Sequence, residues 1–361
     1  MKIFNKKRII ICCGSGGVGK TTTSAAIALY AASLGKKTIV LTIDPAKRLA
    51  TAMGLGTLEN TPKKIPLAGN SGKLFAMMLD TKRTFDRLIE RYTSNPETRK
   101  SIYENSLYQY MSNMIAGSQE YMAMEKLYEL YHDGDYEVMI LDTPPTRHAL
   151  DFLDAPQKMS QLTKNSLLKW FLKPGFFAGR VGFGIFRKST EKILSVFDRL
   201  AGLSFLHELA EMISLMGTLL SGFHERAEAV DKLLREDFSG FLLITSTSSA
   251  SIQDSLYFYQ KIKEYDLPFL GFVINRVHVG VVGPMENKIK EFPSPLREKV
   301  MARLEDYEQL AERDQKAVTL LKKMGGGKVY YATIPLFSED VHDLEGLQEM
   351  SEALFFQEAK S

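Results

Sequence analysis

Residues 14–21 read Gly-Ser-Gly-Gly-Val-Gly-Lys-Thr, a full match to G-x-x-x-x-G-K-[ST]. The apolar run Arg8–Cys13 leads straight into this motif, and a helix-like stretch, Thr21–Leu34, leaves it. No other feature constrains the fold as much, because such a loop works only between a buried strand and a helix N-terminus. Its glycines let successive backbone N–H groups turn inward as an anion nest. The following helix adds the partial positive charge of its N-terminus. In that geometry Lys20 reaches the β- and γ-phosphates of a nucleotide, and the Thr21 hydroxyl ligates Mg²⁺. Gly14, Ser15, Gly16, Gly17, Val18, Gly19, Lys20, Thr21 and Thr22 are therefore the expected nucleotide-binding residues, with ATP and Mg²⁺ as the expected ligands.

Strand-like runs recur at Lys37–Thr42, Leu74–Leu79, Tyr136–Leu141, Gly240–Thr245, Phe269–Ile274 and Val329–Thr333. They are short and continuously apolar, the pattern of strands covered on both faces of a parallel sheet. Helix-like segments such as Ile252–Tyr265 separate most of them. This alternation predicts an α/β fold: a doubly wound, mostly parallel P-loop NTPase sheet. Thr81–His132 and Gln157–Lys232 hold no strand-like run and read as helices broken by Gly and Pro. The expected organisation is a P-loop ATPase domain from residues 1–80, 133–156 and 233–361. Residues 81–132 and 157–232 would form an inserted helical subdomain for a client or partner.

Bulk properties narrow the classes further. The chain has 361 residues, 45% of them hydrophobic, and a net charge of +3. So small a charge implies no broad basic field for nucleic acid. No run approaches the length needed to span a bilayer, and the apolar run after the basic start is too short for a signal peptide. The only two cysteines, Cys12 and Cys13, are neighbours on one strand. They offer no disulfide framework, no cluster of converging thiols for arsenite, and too few ligands for an iron–sulfur centre. A soluble protein of a reducing cytosol is expected, with peripheral membrane association left open.

Two aspartates end buried strands at the carboxyl edge, where an open α/β sheet places its ligand. Asp142, in "YEVMILDTPPT", suits the carboxylate beside the magnesium; a helix-capping role is the alternative. Asp44, in "IVLTIDPAKRLA", could orient an attacking water or cap a helix, and spacing alone does not choose between them.

The segments "GSGGVGKTT", "TIDPAKRLA", "DTPPTRHALDFL", "VINRV" and "IPLFSEDVHDLEGL" follow the order found in the arsenical-pump and tail-anchored-protein targeting ATPases. The chain resembles that family, a deviant-Walker group of dimeric P-loop ATPases, over nearly its whole length. The resemblance implies that Asp44 is the switch I aspartate positioning the hydrolytic water. It implies that Asp142 is the magnesium-associated aspartate opening switch II, with residues 143–148 as the responsive segment. Asn275 would read adenine, its amide offering a donor and an acceptor, and Pro335 would lie in the loop that packs on the base.

Many relatives carry a lysine where this chain has Ser15. The missing cation would then come from Lys47 or Arg48, or from a paralogue in a heterodimer; failing both, hydrolysis would be slow. The zinc-binding Cys-x-x-Cys of tail-shielding relatives is also lacking, so the expected assembly is a homodimer or heterodimer without zinc. Three stretches are candidates for a surface that binds hydrophobic helices or membrane-protein clients, with ordinary core as the alternative. One contains Met111, Met114, Met122 and Met124, another is Leu167–Phe186 with its only Trp, Trp170, and the third is Leu200–Leu220. The rival classes are a positioning ATPase of the partition type and a metabolic enzyme on the same fold. The acidic end "LEGLQEMSEALFFQEAKS" disfavours an anionic membrane as its target.

Overall fold

The computed structural model describes residues 2–4, 6, 8–43, 48–67, 72–105, 108, 119–144, 222, 224–280, 289, 292–326 and 329–355. Eight strands make one sheet: β1 (Ile9–Cys13), β2 (Thr38–Thr42), β3 (Lys63–Ile65), β4 (Leu74–Met78), β5 (Val138–Asp142), β6 (Ser239–Ser246), β7 (Phe269–Val277) and β8 (Tyr330–Pro335). Their order is β3-β4-β2-β5-β1-β6-β7-β8. All pairs are parallel except β3 with β4, which is antiparallel. The fold is thus the mostly parallel α/β sheet anticipated from the alternation of apolar runs, with all seven expected strands present.

β1 lies between β5 and β6, and all five of its residues are buried, Cys12 and Cys13 included. Helices cover both faces of such a sheet, which is why its strands need no polar side. The described helices are α1 (Lys20–Ser33), α2 (Arg48–Ala52), α3 (Thr81–Tyr92), α4 (Pro96–Glu104), α5 (Gln119–Asp133), α6 (Ser249–Glu264), α7 (Ser294–Gly325) and α8 (Leu344–Phe355). α1 buries Ala25, Ala26, Ala28, Ala31 and Ala32, small side chains that let it lie close on the sheet. Its Tyr30 ring stacks on Phe355 of α8 with centroids 4.0 Å apart, and Phe4 closes the cluster 5.7 Å from Phe355. α8 buries Leu347, Met350, Leu354 and Phe355. The apolar face of the amphipathic segment weighed above as membrane-directed is therefore committed to this core.

Three features depart from expectation. β3 was not anticipated: it is three residues long, and only Ile65 of Lys-Lys-Ile is buried, so it carries almost no apolar signal. Lysines on an edge strand also discourage pairing with other chains. β7 and β8 run further than the apolar patterns suggest, to Val277 and Pro335. Asn275 and Pro335 therefore sit within strand ends rather than in the loops beyond. The 32-residue α7 was also missed, because only Ala311, Asp314, Ala317, Val318 and Leu321 are buried along it and charge hides the rest.

The chain divides into two compact units, one of residues 1–79, 127–153 and 234–361, the other of 80–126 and 154–233. In the second unit Asp80 caps α3 by accepting from the Arg83 amide at 2.9 Å, and Asn95 caps α4, which opens on Pro96. Met122 and Met124 are fully buried and make core. Met111, Met114, Leu167–Phe186 and Leu200–Leu220 lie outside the described residues.

The second unit also buries an ion pair. The Arg226 Nε lies 2.8 Å from both Glu125 carboxylate oxygens, and its Nη2 lies 2.6 Å from Oε1. Side-chain exposures of 9% and 4% leave little water to solvate either charge alone. Glu125→Ala should therefore cost about 3–5 kcal/mol by removing the carboxylate that balances the buried guanidinium. The double variant Glu125→Met/Arg226→Met should recover most of that loss, as read by chemical denaturation.

Candidate functional site

The phosphate loop is fixed by close backbone approaches that only glycine permits. Gly14 has φ +157°, and a Cβ there would collide with the Ile244 carbonyl of β6. Gly19, at φ +88° and ψ +26°, is the left-handed N-cap of α1, and a Cβ there would strike the Asn275 amide. With the turn thus set, Lys20 is the first residue of α1 and is almost fully buried. Its Nζ donates to the Ser15 carbonyl at 2.9 Å, which holds the side chain folded across the loop.

Asp142 ends β5 beside Cys12 of β1 on one flank and Thr42 of β2 on the other. Its fully buried Oδ2 accepts from the Thr21 hydroxyl at 2.8 Å and from the Thr42 hydroxyl at 2.9 Å. The next residue, Thr143, donates through its hydroxyl to the Cys12 carbonyl at 2.8 Å. One carboxylate thus joins the start of α1 to the end of β2, two residues before Asp44. Asp44 itself lies outside the described residues, as do Lys47 and residues 145–148.

A cavity of about 480 Å³ opens at this edge of the sheet. Gly17, Gly19, Lys20, Thr21 and Thr22 line it on the loop side, Arg48, Thr51 and Thr143 contribute further lining, and Asn275 and Arg276 of β7, Pro335 of β8 and Phe337 just beyond it complete the lining. The volume suits a small-molecule ligand. The Asn275 Nδ2 donates to the Val18 carbonyl at 2.9 Å, while its Oδ1 accepts from the Arg276 amide at 2.9 Å. The amide expected to read a base also ties β7 to the phosphate loop.

Ser15 is nearly buried, and its hydroxyl has no hydrogen-bond partner among the described residues. An orphan hydroxyl in a glycine nest, a lysine reaching across the same loop and a threonine–aspartate pair at the helix start together fit a nucleotide polyphosphate with Mg²⁺. Arg276, Thr51 and Phe337 were missed by sequence reasoning as lining residues, whereas Arg48, named there as a candidate replacement cation, does line the cavity. Arg276 alone gave a signal, as a charge inside the apolar run "VINRV".

Beyond Arg276, His278 donates its backbone N–H to Asp314 Oδ2 of α7 at 3.0 Å, and its ring Nδ1 lies 2.7 Å from the same oxygen. The Arg313 Nη2 meets Asp314 Oδ1 at 3.0 Å. Burial alone would push the Asp314 carboxyl up, but bonds from His278, Thr247 and Arg313 outweigh it and hold the carboxyl below its ordinary value. The exit of β7 is therefore pinned to α7.

Neither cysteine shows the exposed, electropositive setting of a reactive thiol. Burial pushes both thiols up, Cys13 to about 12 despite opposing contributions from Thr143 and Lys20, and Cys12 further. At pH 8 both therefore stay protonated in the folded protein. An aromatic disulfide reagent at that pH should label neither thiol in native protein and both after denaturation. Labelling of the native state would remove the reading of these residues as core. Among the described residues no group of three or more His, Cys, Asp and Glu side chains could hold a metal ion. No described helix is long and apolar enough to cross a membrane.

A family model described as anion-transporting ATPase matches residues 7–355. The chain is 26% identical over 357 residues to a protein of Aquifex aeolicus (strain VF5) named as an arsenical pump-driving ATPase, covering 96% of this chain and 78% of that protein. It is 25% identical over 357 residues to the ATPase get3 of Aspergillus terreus (strain NIH 2624), covering 98% and 92%. The ATPase get3 of Aspergillus niger (strain CBS 513.88) is 24% identical over 359 residues, covering 98% and 92%. A match over almost the whole length, joined to a phosphate loop set between β1 and α1, identifies the chain as a member of the anion-transporting ATPase family of P-loop ATP hydrolases.

Proposed function

We propose that this protein is a Mg²⁺-dependent, dimeric ATPase whose nucleotide state controls a helical surface for hydrophobic or membrane-protein clients, working in the cytoplasm or at the membrane periphery. The observation that carries this reading is the sharing of one Asp142 oxygen by Thr21 and Thr42. A metal ion beside Thr21 must compete with that hydrogen bond, and any change at Asp142 is felt by β2 on one side and Thr143 on the other. Mg²⁺ at Thr21 and Asp142 would supply charge neutralisation for the phosphates.

The protein's own groups have distinct tasks in this reading. The backbone amides of residues 14–20 bind the polyphosphate, and Lys20 gives up the Ser15 carbonyl to meet it. Asp44 orients the attacking water, while Asn275 and Pro335 hold the base. Residues 143–148 transmit the terminal phosphate's loss to the client-binding subdomain, residues 81–132 and 157–232, by ordering and releasing a segment. The assembly is a homodimer or a heterodimer with a paralogue. Burial of both thiols argues against carrying over the arsenical-pump activity in one relative's name.

Lys20→Ala should weaken ATP binding by about two orders of magnitude in calorimetry, given what charged hydrogen bonds contribute; unchanged affinity would remove the phosphate-loop assignment. Asp44→Asn should retain ATP while losing turnover, and a normal hydrolysis rate would return Asp44 to a structural cap. Isolation of the Asp44→Asn protein with ATP should retain a hydrophobic helix or membrane protein. If nothing apolar is retained under any nucleotide, the client reading fails while the ATPase stands.

A further inference from the structure

Arg276 holds a backbone conformation that its residue type disfavours. Its φ is +60°, the left-handed region that glycine or asparagine occupies at less cost. The cause is a bulge: between the pairs Ile274↔Thr333 and Val277↔Pro335, three residue steps on β7 span two on β8. The bulge is clamped on each side. Asn275 bonds the Val18 carbonyl and caps the Arg276 amide. His278 is held by Asp314, and the Leu336 amide donates to the Val277 carbonyl at 3.0 Å. Surroundings this well determined can maintain a strained residue, and such residues gather at ligand sites.

The strain has a visible result. Arg276 is exposed between buried Asn275 and buried Val277, and its side chain lines the cavity. Its Nη1 lies 3.5 Å from the Gly17 carbonyl, a contact at the outer limit of hydrogen bonding. No carboxylate pairs with it among the described residues, and a guanidinium has five donors to offer. If the segment served only to bend the strand, glycine or asparagine would do so with less strain. Residues 14–19 of the loop carry no charged side chain, so Lys20 is the loop's single cation. Glu339 and Asp340 also line the cavity, so a polyanion there depends on the cations that line it, Lys20 and Arg276 among them.

We propose that Arg276 is a nucleotide-positioning residue: the bulge aims its guanidinium at the polyphosphate of bound ATP, so that affinity rises with the number of phosphates. This rests on the reading that the cavity seats ATP. The test is the dissociation constant of the full-length protein for ATP, ADP and AMP with Mg²⁺, measured by calorimetry for wild type and Arg276→Asn, together with thermal midpoints. Asparagine removes the charge and eases the backbone, so the midpoint should hold or rise. ATP should bind about tenfold more weakly, as expected for one lost charged hydrogen bond, with a smaller loss for ADP and almost none for AMP. Equal losses for all three nucleotides, or no loss, would overturn the proposal and leave Arg276 a base-side or surface residue. Should Arg276→Asn fold poorly, Arg276→Gly meets the same backbone demand and the same ranking decides. Wild-type protein that binds no ATP would instead sink the underlying site assignment.

Discussion

One buried carboxylate oxygen organises the carboxyl edge of this sheet. Asp142 sits where β5 ends between β1 and β2, and the hydroxyls of Thr21 and Thr42 both donate to its Oδ2. A buried carboxylate oxygen needs hydrogen-bond donors to offset its lost hydration. Its two threonine donors come from opposite sides, so the requirement holds α1 and β2 in register with β5. Thr143 extends the network to the Cys12 carbonyl. The phosphate loop, the strand leading to Asp44 and the segment after Asp142 therefore share one hydrogen-bonded junction.

The loop reaches its shape through steric exclusion rather than attraction. Gly14 leaves room for the Ile244 carbonyl and Gly19 for the Asn275 amide, so β6 and β7 press directly on the loop backbone. The same contact lets the Asn275 amide bond the Val18 carbonyl. The ends of β6 and β7 and the loop are thus one packed body, and the strained Arg276 bulge is held in it from both ends. Rigidity of this kind keeps the binding amides aligned without reorganisation when charge arrives.

Much of this was legible in the sequence. The phosphate loop, the seven apolar strands and the aspartate at the end of β5 could be read because each rests on local physics: a glycine pattern, continuous burial, a charge closing an apolar run. What escaped depends on partners distant in sequence. Lys63–Ile65 becomes a strand only because β4 offers an edge. β7 continues through Asn275 and Arg276 because the Val18 carbonyl holds Asn275 and Asp314 holds His278 just beyond, and neither partner is visible from the sequence around position 276. α7 hides its buried stripe among charges, since a helix with one narrow covered face shows weak periodicity. Met122 and Met124, read as candidate groove residues, are core, because methionine fills irregular interiors as readily as it lines adaptable surfaces.

The stacking of Tyr30 on Phe355 sets an order on how the protein can be made. α1, which opens on Lys20, stays uncovered on one flank until residues 344–355 exist to lie against it. During synthesis β1 and α1 thus emerge long before the helix that braces them, with β2 to β8 made in between.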